Sequence, residues 1–380
     1  MSRHRMRIAF VSPFLFRCLR GIERWTVELC RALSRSEPSC EIDVLTWKDE
    51  RAWPWGELPA NVRLHPVALP RYFEACFAGL AYARLLRRLQ PDVLNLCFTW
   101  NGEDLALRLL PRLRSKVNLV LHYPAAQVPH RYEQLRRSRA AAVAAHVIAQ
   151  TPSVAGDAER WLSRRADVIP NGVDLERFRP GAGRSKARER LKLPPGGPVL
   201  LTTAALERRK GVHRALDALP ALLKAHPDLT YLVAGEGPER ASLAEQAKRL
   251  GLGDSVRLLG AIDDVVPLYQ AADVFLLLSK GESFPLAAVE AMACGLPIVA
   301  ARREPFGEIL PPGGCVLVDE ENPSEISAAL AALLLGRDRR AGMGEENRRR
   351  AEARYSWDSV AAAYLRVFEE ELGSPKESRP

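Results

Sequence analysis

Residues 274–297 read VFLLLSKGESFPLAAVEAMACGLP. Val274 to Leu278 is an unbroken apolar run of strand length, as expected for a strand buried on both faces of a parallel sheet. Leu286 to Ala293 is built of good helix formers, so the segment predicts strand, loop, helix. Ser283 is placed as the helix cap, with Pro285 in the first turn. The loop Ser279–Pro285 then lies at the carboxyl end of a strand, where open α/β sheets bind ligands. It also opens a helix, whose first N–H groups suit phosphate. Glu282 precedes that helix and Glu290 falls about two turns into it. Two carboxylates there can accept hydrogen bonds from sugar hydroxyls. By themselves they read first as a loop charge and a solvated helix residue.

Outward from this segment the chain keeps the same rhythm. Strands are predicted at 7–12, 40–46, 62–68, 92–97, 117–121, 143–149 and 167–169. A turn-rich stretch follows, from Pro170-Asn171-Gly172 to Pro198, and marks a domain boundary. Strands resume at 199–202, 229–234, 256–259, 274–278, 297–300 and 315–318. Helices are predicted at 21–34, 72–89, 104–114, 212–225, 238–250, 286–293, 324–335 and 358–372. Alternation of this kind predicts two doubly wound α/β domains, residues 1–175 and 176–355. The segment 356–380 is expected to carry a helix packing across their junction. The length of 380 residues agrees, since one core rarely exceeds about 300 residues.

Composition narrows the class without fixing it. The net charge of +9 fits attraction to polyanions, and it fits plain use of arginine on solvated faces. The seven cysteines include no Cys-x-x-Cys pair and several sit in apolar runs, which reads as reduced, buried thiols. No stretch approaches the ~20 apolar residues of a membrane span. A cytoplasmic chain is the expectation. Gly-x-Gly-x-x-Gly is missing after the first strand, against a dinucleotide-dependent dehydrogenase, and a Gly-Lys-Ser/Thr loop is also missing. The basic residues are dispersed, against nucleic acid as a partner. No Asp-x-Asp occurs, and no metal ligands are expected.

The spacing Glu282-x7-Glu290 followed by Ala291-Met292-Ala293-Cys294-Gly295-Leu296-Pro297 resembles the motif of glycosyltransferase family four, the retaining glycosyl transferases group 1. The resemblance covers nearly the whole chain. Further matching pieces are Ile169-Pro170-Asn171-Gly172-Val173-Asp174, Arg209-Lys210-Gly211, Ala234-Gly235-Glu236-Gly237-Pro238, Leu258-Leu259-Gly260, Ala272-Asp273-Val274-Phe275 and Tyr355-Ser356-Trp357. It implies the GT-B fold, two Rossmann-like domains facing a cleft. It implies a nucleotide-sugar donor as substrate, with no further cofactor. Glu282 would meet the donor sugar and Glu290 the ribose. Lys210, helped by Arg209, would neutralise the diphosphate leaving group. Phe284 and the amides near Leu286 would border the phosphates, and the segments 235–238 and 257–260, with Arg257, the base. Gly21 would let backbone approach phosphate, and His122 at a strand end would be the active-site histidine.

Three positions depart from the family pattern. Arg20-Gly21 stands where two glycines are common. Ala204-Ala205-Leu206 lacks an arginine usual at position 205, leaving Arg208 or Arg209 to supply its charge. Pro285 replaces a common glycine and removes one N–H donor. A catalytically impaired, sugar-binding homologue therefore stays open beside an active transferase. The resemblance favours a UDP-sugar over GDP-mannose. It also points to a glycan or glycolipid acceptor of cell-surface or lipopolysaccharide type. Trp47, Trp53 and Trp55 cluster near Arg51. Tyr72, Phe73, Phe77 and Leu80 precede Arg84, Arg87 and Arg88. That pattern fits a packed amphipathic helix, and it fits a helix lying on the anionic inner face of a membrane.

Overall fold

A computed structural model describes residues 5–13, 15, 21–47, 56–67, 74–97, 101–110, 115–121, 129–181, 183–194 and 196–373. His122, Arg20, Arg51, Trp53, Trp55, Tyr72 and Phe73, singled out above, lie outside them. The chain divides into two units: Met1–Gly172 with Trp357–Pro380, and Val173–Ser356.

The first unit holds a seven-stranded parallel sheet. Its strands are β1 (Arg7–Val11), β2 (Glu41–Trp47), β3 (Val62–Val67), β4 (Val93–Leu96), β5 (Lys116–Leu121), β6 (Ala144–Ala149) and β7 (Asp167–Val168). They run in the order β3-β2-β1-β4-β5-β6-β7. β1 and β4 are apolar but for Arg7 and Asn95 and almost wholly buried, which suits central strands covered on both faces. Thr151 caps the helix Pro152–Leu162, accepting from the Val154 amide, with proline at the first helical position. The reading of the sequence did not name this helix, though its Thr-Pro start is a clear signal. The helix Trp357–Gly373 groups with this unit. It packs on the helix Gly21–Ser36, with the Tyr364 ring 6.0 Å from that of Trp25. Both rings are fully buried, and each such side chain contributes about 1.5–3 kcal/mol of transfer free energy.

The second unit holds a six-stranded parallel sheet: β8 (Val199–Thr203), β9 (Thr230–Ala234), β10 (Val256–Gly260), β11 (Val274–Leu277), β12 (Ile298–Ala301) and β13 (Cys315–Val318). The order is β10-β9-β8-β11-β12-β13. Winding starts at β8, runs outward through β9 and β10, then returns to β11. The switch point is therefore between β8 and β11, and the loops leaving their carboxyl ends frame a crevice.

Four helices of this unit depart from the sequence reading, among them the short Val266–Ala271 and Phe306–Ile309. Arg184–Arg190 is a helix inside the stretch read as a linker. Arg337–Arg354 is an 18-residue helix that was not expected. Its exposed face is arginine and glutamate, so no apolar stripe announces it; a few residues such as Met343 and Ala351 bury it.

Candidate donor site at the second switch point

The loop after β8 and the loop after β11 meet through glycine. Gly211 has φ +76, and a Cβ there would lie 2.1 Å from the Leu278 carbonyl oxygen. Only a bare, left-handed residue lets the two loops touch this closely. Backbone bonding continues the seam: the Lys280 amide donates to the Arg209 carbonyl at 2.7 Å. Lys210 is thereby set against the loop of Glu282. Its Nζ donates to Glu282 Oε1 at 2.5 Å, and Ser279 Oγ donates to the same oxygen at 2.6 Å. The lysine and glutamate side chains are only 15% and 10% exposed, so their contact is largely shielded from water.

Around this pair other cations are matched with acids. Arg209 Nε donates to Glu207 Oε2 at 2.7 Å, and its Nη1 donates to the Gly281 carbonyl at 3.4 Å. Arg209 thus reaches the Glu282 loop. Arg208 points elsewhere, 71% exposed and 3.9 Å from Glu239. Ala205 is exposed at the strand end. The sequence reading missed Arg214 and Lys280, which share Glu321: Arg214 Nη2 at 2.7 Å and Lys280 Nζ at 2.5 Å from Oε1. These two cations hold the Glu321 carboxyl down at about 2.

Helix Leu286–Ala293 begins one residue after Pro285, which occupies the cap position; no side chain caps it. Ser283 is thus not the cap. The Leu286 amide donates to the Phe284 carbonyl at 3.0 Å, closing a three-residue turn at Pro285. That amide is used inside the loop. The Phe284 side chain is buried edge-on against Tyr355, rings 5.8 Å apart, and shapes the loop from its apolar side.

Glu290 lies in the second turn of this helix, nearer its start than the sequence spacing suggested. Tyr269 OH is 2.9 Å from Glu290 Oε2 and 3.2 Å from the Ala287 carbonyl oxygen. Thr203 Oγ1, at the end of β8, is 2.6 Å from the same hydroxyl. Burial, and then the nearby Glu290 carboxylate, push the Tyr269 phenol well above its ordinary value, so it remains a donor. Tyr269 was missed because a lone tyrosine in an apolar stretch reads as core.

The turn Gly235–Pro238 and the end of β10 are brought together, the Gly235 amide donating to the Gly260 carbonyl at 2.7 Å. Gly235 has φ +144, and a Cβ there would lie 1.9 Å from the Ala204 carbonyl oxygen. Arg257 is on the edge strand, but its guanidinium donates to the carbonyls of Leu191 (2.6 Å) and Lys192 (3.1 Å). It ties down the turn before β8. In the first unit, Gly21 is the exposed first residue of its helix. His122, as stated, is outside the described residues.

Two family models match the chain: glycosyl transferases group 1 over residues 183–350, and glycosyltransferase family 4 over residues 19–177. D-inositol 3-phosphate glycosyltransferase of Corynebacterium urealyticum is 36% identical over 225 residues, 56% of this chain and 53% of that protein. The chain thus spans about half the length of the first curated relatives it matches. The protein of the same name from Streptomyces bingchenggensis is 29% identical over 397 residues, 93% of this chain and 85% of that one. Among solved structures, Anabaena HepE in complex with UDP and glucose superposes with a TM-score of 0.79 at 21% identity, covering 96% of this chain and 99% of that one. Sucrose-phosphate synthase from Thermosynechococcus elongatus gives 0.80 at 21%, covering 98% and 100%. At such identities these structures share the fold.

Proposed function

The chain belongs to glycosyltransferase family four and has the GT-B fold, and on that premise we propose that it is a retaining enzyme moving a hexose from a nucleoside diphosphate sugar to an acceptor hydroxyl. The contact between Lys210 and Glu282, 2.5 Å at the switch point, carries this reading. A largely buried ion pair is costly to build, and its position at a switch point, where open α/β sheets bind ligands, supports this reading. On donor binding, Lys210 moves its donors from Glu282 to the diphosphate. Glu282 is then free to accept from sugar hydroxyls. As the glycosidic bond breaks, charge grows on the leaving diphosphate, and a preorganised ammonium stabilises it. Arg209 takes the part of the arginine missing at position 205, since it already reaches Gly281. Glu290, held in place by Tyr269, accepts from the ribose hydroxyls. No metal has a step in this reading.

A UDP-sugar is the favoured donor, in keeping with the UDP complex of Anabaena HepE. A membrane-borne glycan or glycolipid is the favoured acceptor. The helix Glu74–Leu89 buries one face through Tyr82 and Leu86, yet exposes Phe77 (46%) and Leu80 (44%). Arg84, Arg87 and Arg88 are exposed in the same helix. Spacings of three, four and three residues from Phe77 to Arg87 keep these on one stripe. Such a stripe suits an anionic cytoplasmic membrane surface. A second reading of the acceptor, a phosphorylated inositol, follows from the names of the curated relatives.

Thermal unfolding with UDP, GDP, ADP and CMP tests the donor site, with and without EDTA. UDP alone is expected to raise Tm by several degrees at saturation, unchanged by EDTA. Stabilisation by none of the four overturns the enzyme reading. A shift without turnover on any donor would leave a binding protein.

A further inference from the structure

The second sheet has another charged cavity, at the ends of the strands opposite Lys210 and Glu282. Gly196 precedes β8, Asp273 precedes β11 and Pro297 precedes β12; all three line it. About 13 Å of strand separates this edge from the donor loops, given ~3.3 Å per residue. The cavity is an open cleft of about 520 Å³, and Arg184, Arg188, Arg337 and Arg340 line it against one acid, Asp273.

Three of these arginines are anchored. Arg184 Nη2 and Arg188 Nη2 donate to the two oxygens of Asp273 at 2.5 and 2.6 Å. Arg184 and Arg188 also donate to the carbonyls of Ala272 and Ala271. Arg340 Nη1 donates to the carbonyls of Leu333 and Leu334, both at 2.6 Å, closing the preceding helix. Arg337 is exposed and makes no hydrogen bond or ion pair with any described residue. It opens the helix Arg337–Arg354, where the dipole disfavours cations. Asp338, next in the chain, does not line the cavity. Four guanidinium groups facing one carboxylate leave an uncompensated charge that folding alone does not require. Several are preorganised by carbonyls, and one arm is free to close on a ligand. Planar forks of this kind match phosphoryl oxygens two at a time.

We propose that this cavity is an anion site separate from the donor centre, taking a small molecule that presents a phosphoryl group. Its volume suits a phosphate ester of sugar size, in the range of small-molecule sites.

Inorganic pyrophosphate is the probe, titrated calorimetrically into the full chain with saturating UDP occupying the donor centre. One pyrophosphate site is expected to remain. Arg337→Glu and, separately, Arg184→Gln should weaken it at least tenfold, while UDP affinity stays within twofold. Because Arg337 has no partner among the described residues, its substitution is expected to leave folding intact, checked by Tm. Should UDP itself fail to bind, the donor reading falls; loss of the pyrophosphate site in Arg337→Glu would still support the cavity. Equal pyrophosphate binding by wild type and both variants overturns it, as does no binding at all. Sedimentation with phosphatidic-acid vesicles separates the sources. Capture that Arg337→Glu abolishes assigns the phosphoryl group to a lipid head, and binding of pyrophosphate alone assigns it to a free metabolite.

Discussion

The two ends of the second sheet treat positive charge in opposite ways. At the carboxyl ends of β8 and β11, Lys210 lies on Glu282, Arg209 on Glu207, and Arg214 with Lys280 on Glu321. At the amino ends, four arginines line one cavity with a single acid, Asp273, which pairs with only Arg184 and Arg188. Matched charges near a switch point can exchange partners, so a ligand replaces a contact already made. Unmatched charges must await one. The first arrangement limits the cost of an empty site, because a largely buried lysine without its carboxylate would lose several kcal/mol. The second is exposed enough for water to carry that cost.

Removing the lysine should give the largest effect. Lys210→Ala is expected to lower kcat/KM for the donor by about 10²–10³-fold, measured by initial rates. It should also lower Tm, since among the described residues Glu282 then keeps only Ser279 as a side-chain partner. The double variant Lys210→Met with Glu282→Gln sharpens the point: Tm should recover while turnover stays lost. Activity recovering together with Tm would mean the pair is structural.

Backbone contact comes next. Gly211→Ala must place a Cβ 2.1 Å from the Leu278 carbonyl in a left-handed conformation. A loss of about 2–4 kcal/mol is expected in urea unfolding, with the donor loops separated. Wild-type stability would show that the two loops need no close contact.

Tyr269→Phe should act on donor affinity more than on rate. It removes the phenol that holds Glu290, and a hydrogen bond to a charged group contributes about 1.5–3 kcal/mol. A tenfold rise in donor KM with kcat nearly unchanged is expected. Equal loss in both would place Glu290 in the chemical step.

Glu321→Gln should have the smallest effect and test whether matched charges at the donor end matter singly. The folded pKa, about 2, lies below the ordinary carboxyl value near 4.3. Its contribution is therefore present above about pH 4.3 and fades as pH falls towards 2. The side chain is 55% exposed, so the contribution stays below about 1 kcal/mol and shrinks in salt. Tm curves of variant and wild type should converge at low pH. A gap that persists there would assign Glu321 a role other than charge.

Much of this is legible in the amino-acid sequence. Val274–Leu278, Leu286–Ala293 and Lys210-Gly211 announced themselves because strand burial, helix propensity and glycine turns are local. Arg337–Arg354 escaped because arginine on its exposed face hides the few residues that bury it. The bonds of Arg257 to the Leu191 and Lys192 carbonyls were not legible, because a cation near a motif says nothing of which carbonyls it will meet. Tyr269 looked like core, and it is core except for one hydroxyl.

The sequence by itself determined the strand and helix alternation, the break into two units, and the loops that carry Glu282 and Lys210. Those follow from periodicity and turn chemistry over a dozen residues. The tertiary structure alone decided that Lys210 meets Glu282 across 72 positions, and that the last helix returns to Trp25. It also gathered Arg184, Arg188, Arg337 and Arg340 around Asp273. Each depends on strand order, and the reversal between β8 and β11 is set by how helices cover both faces of a sheet. No local run of residues encodes that packing.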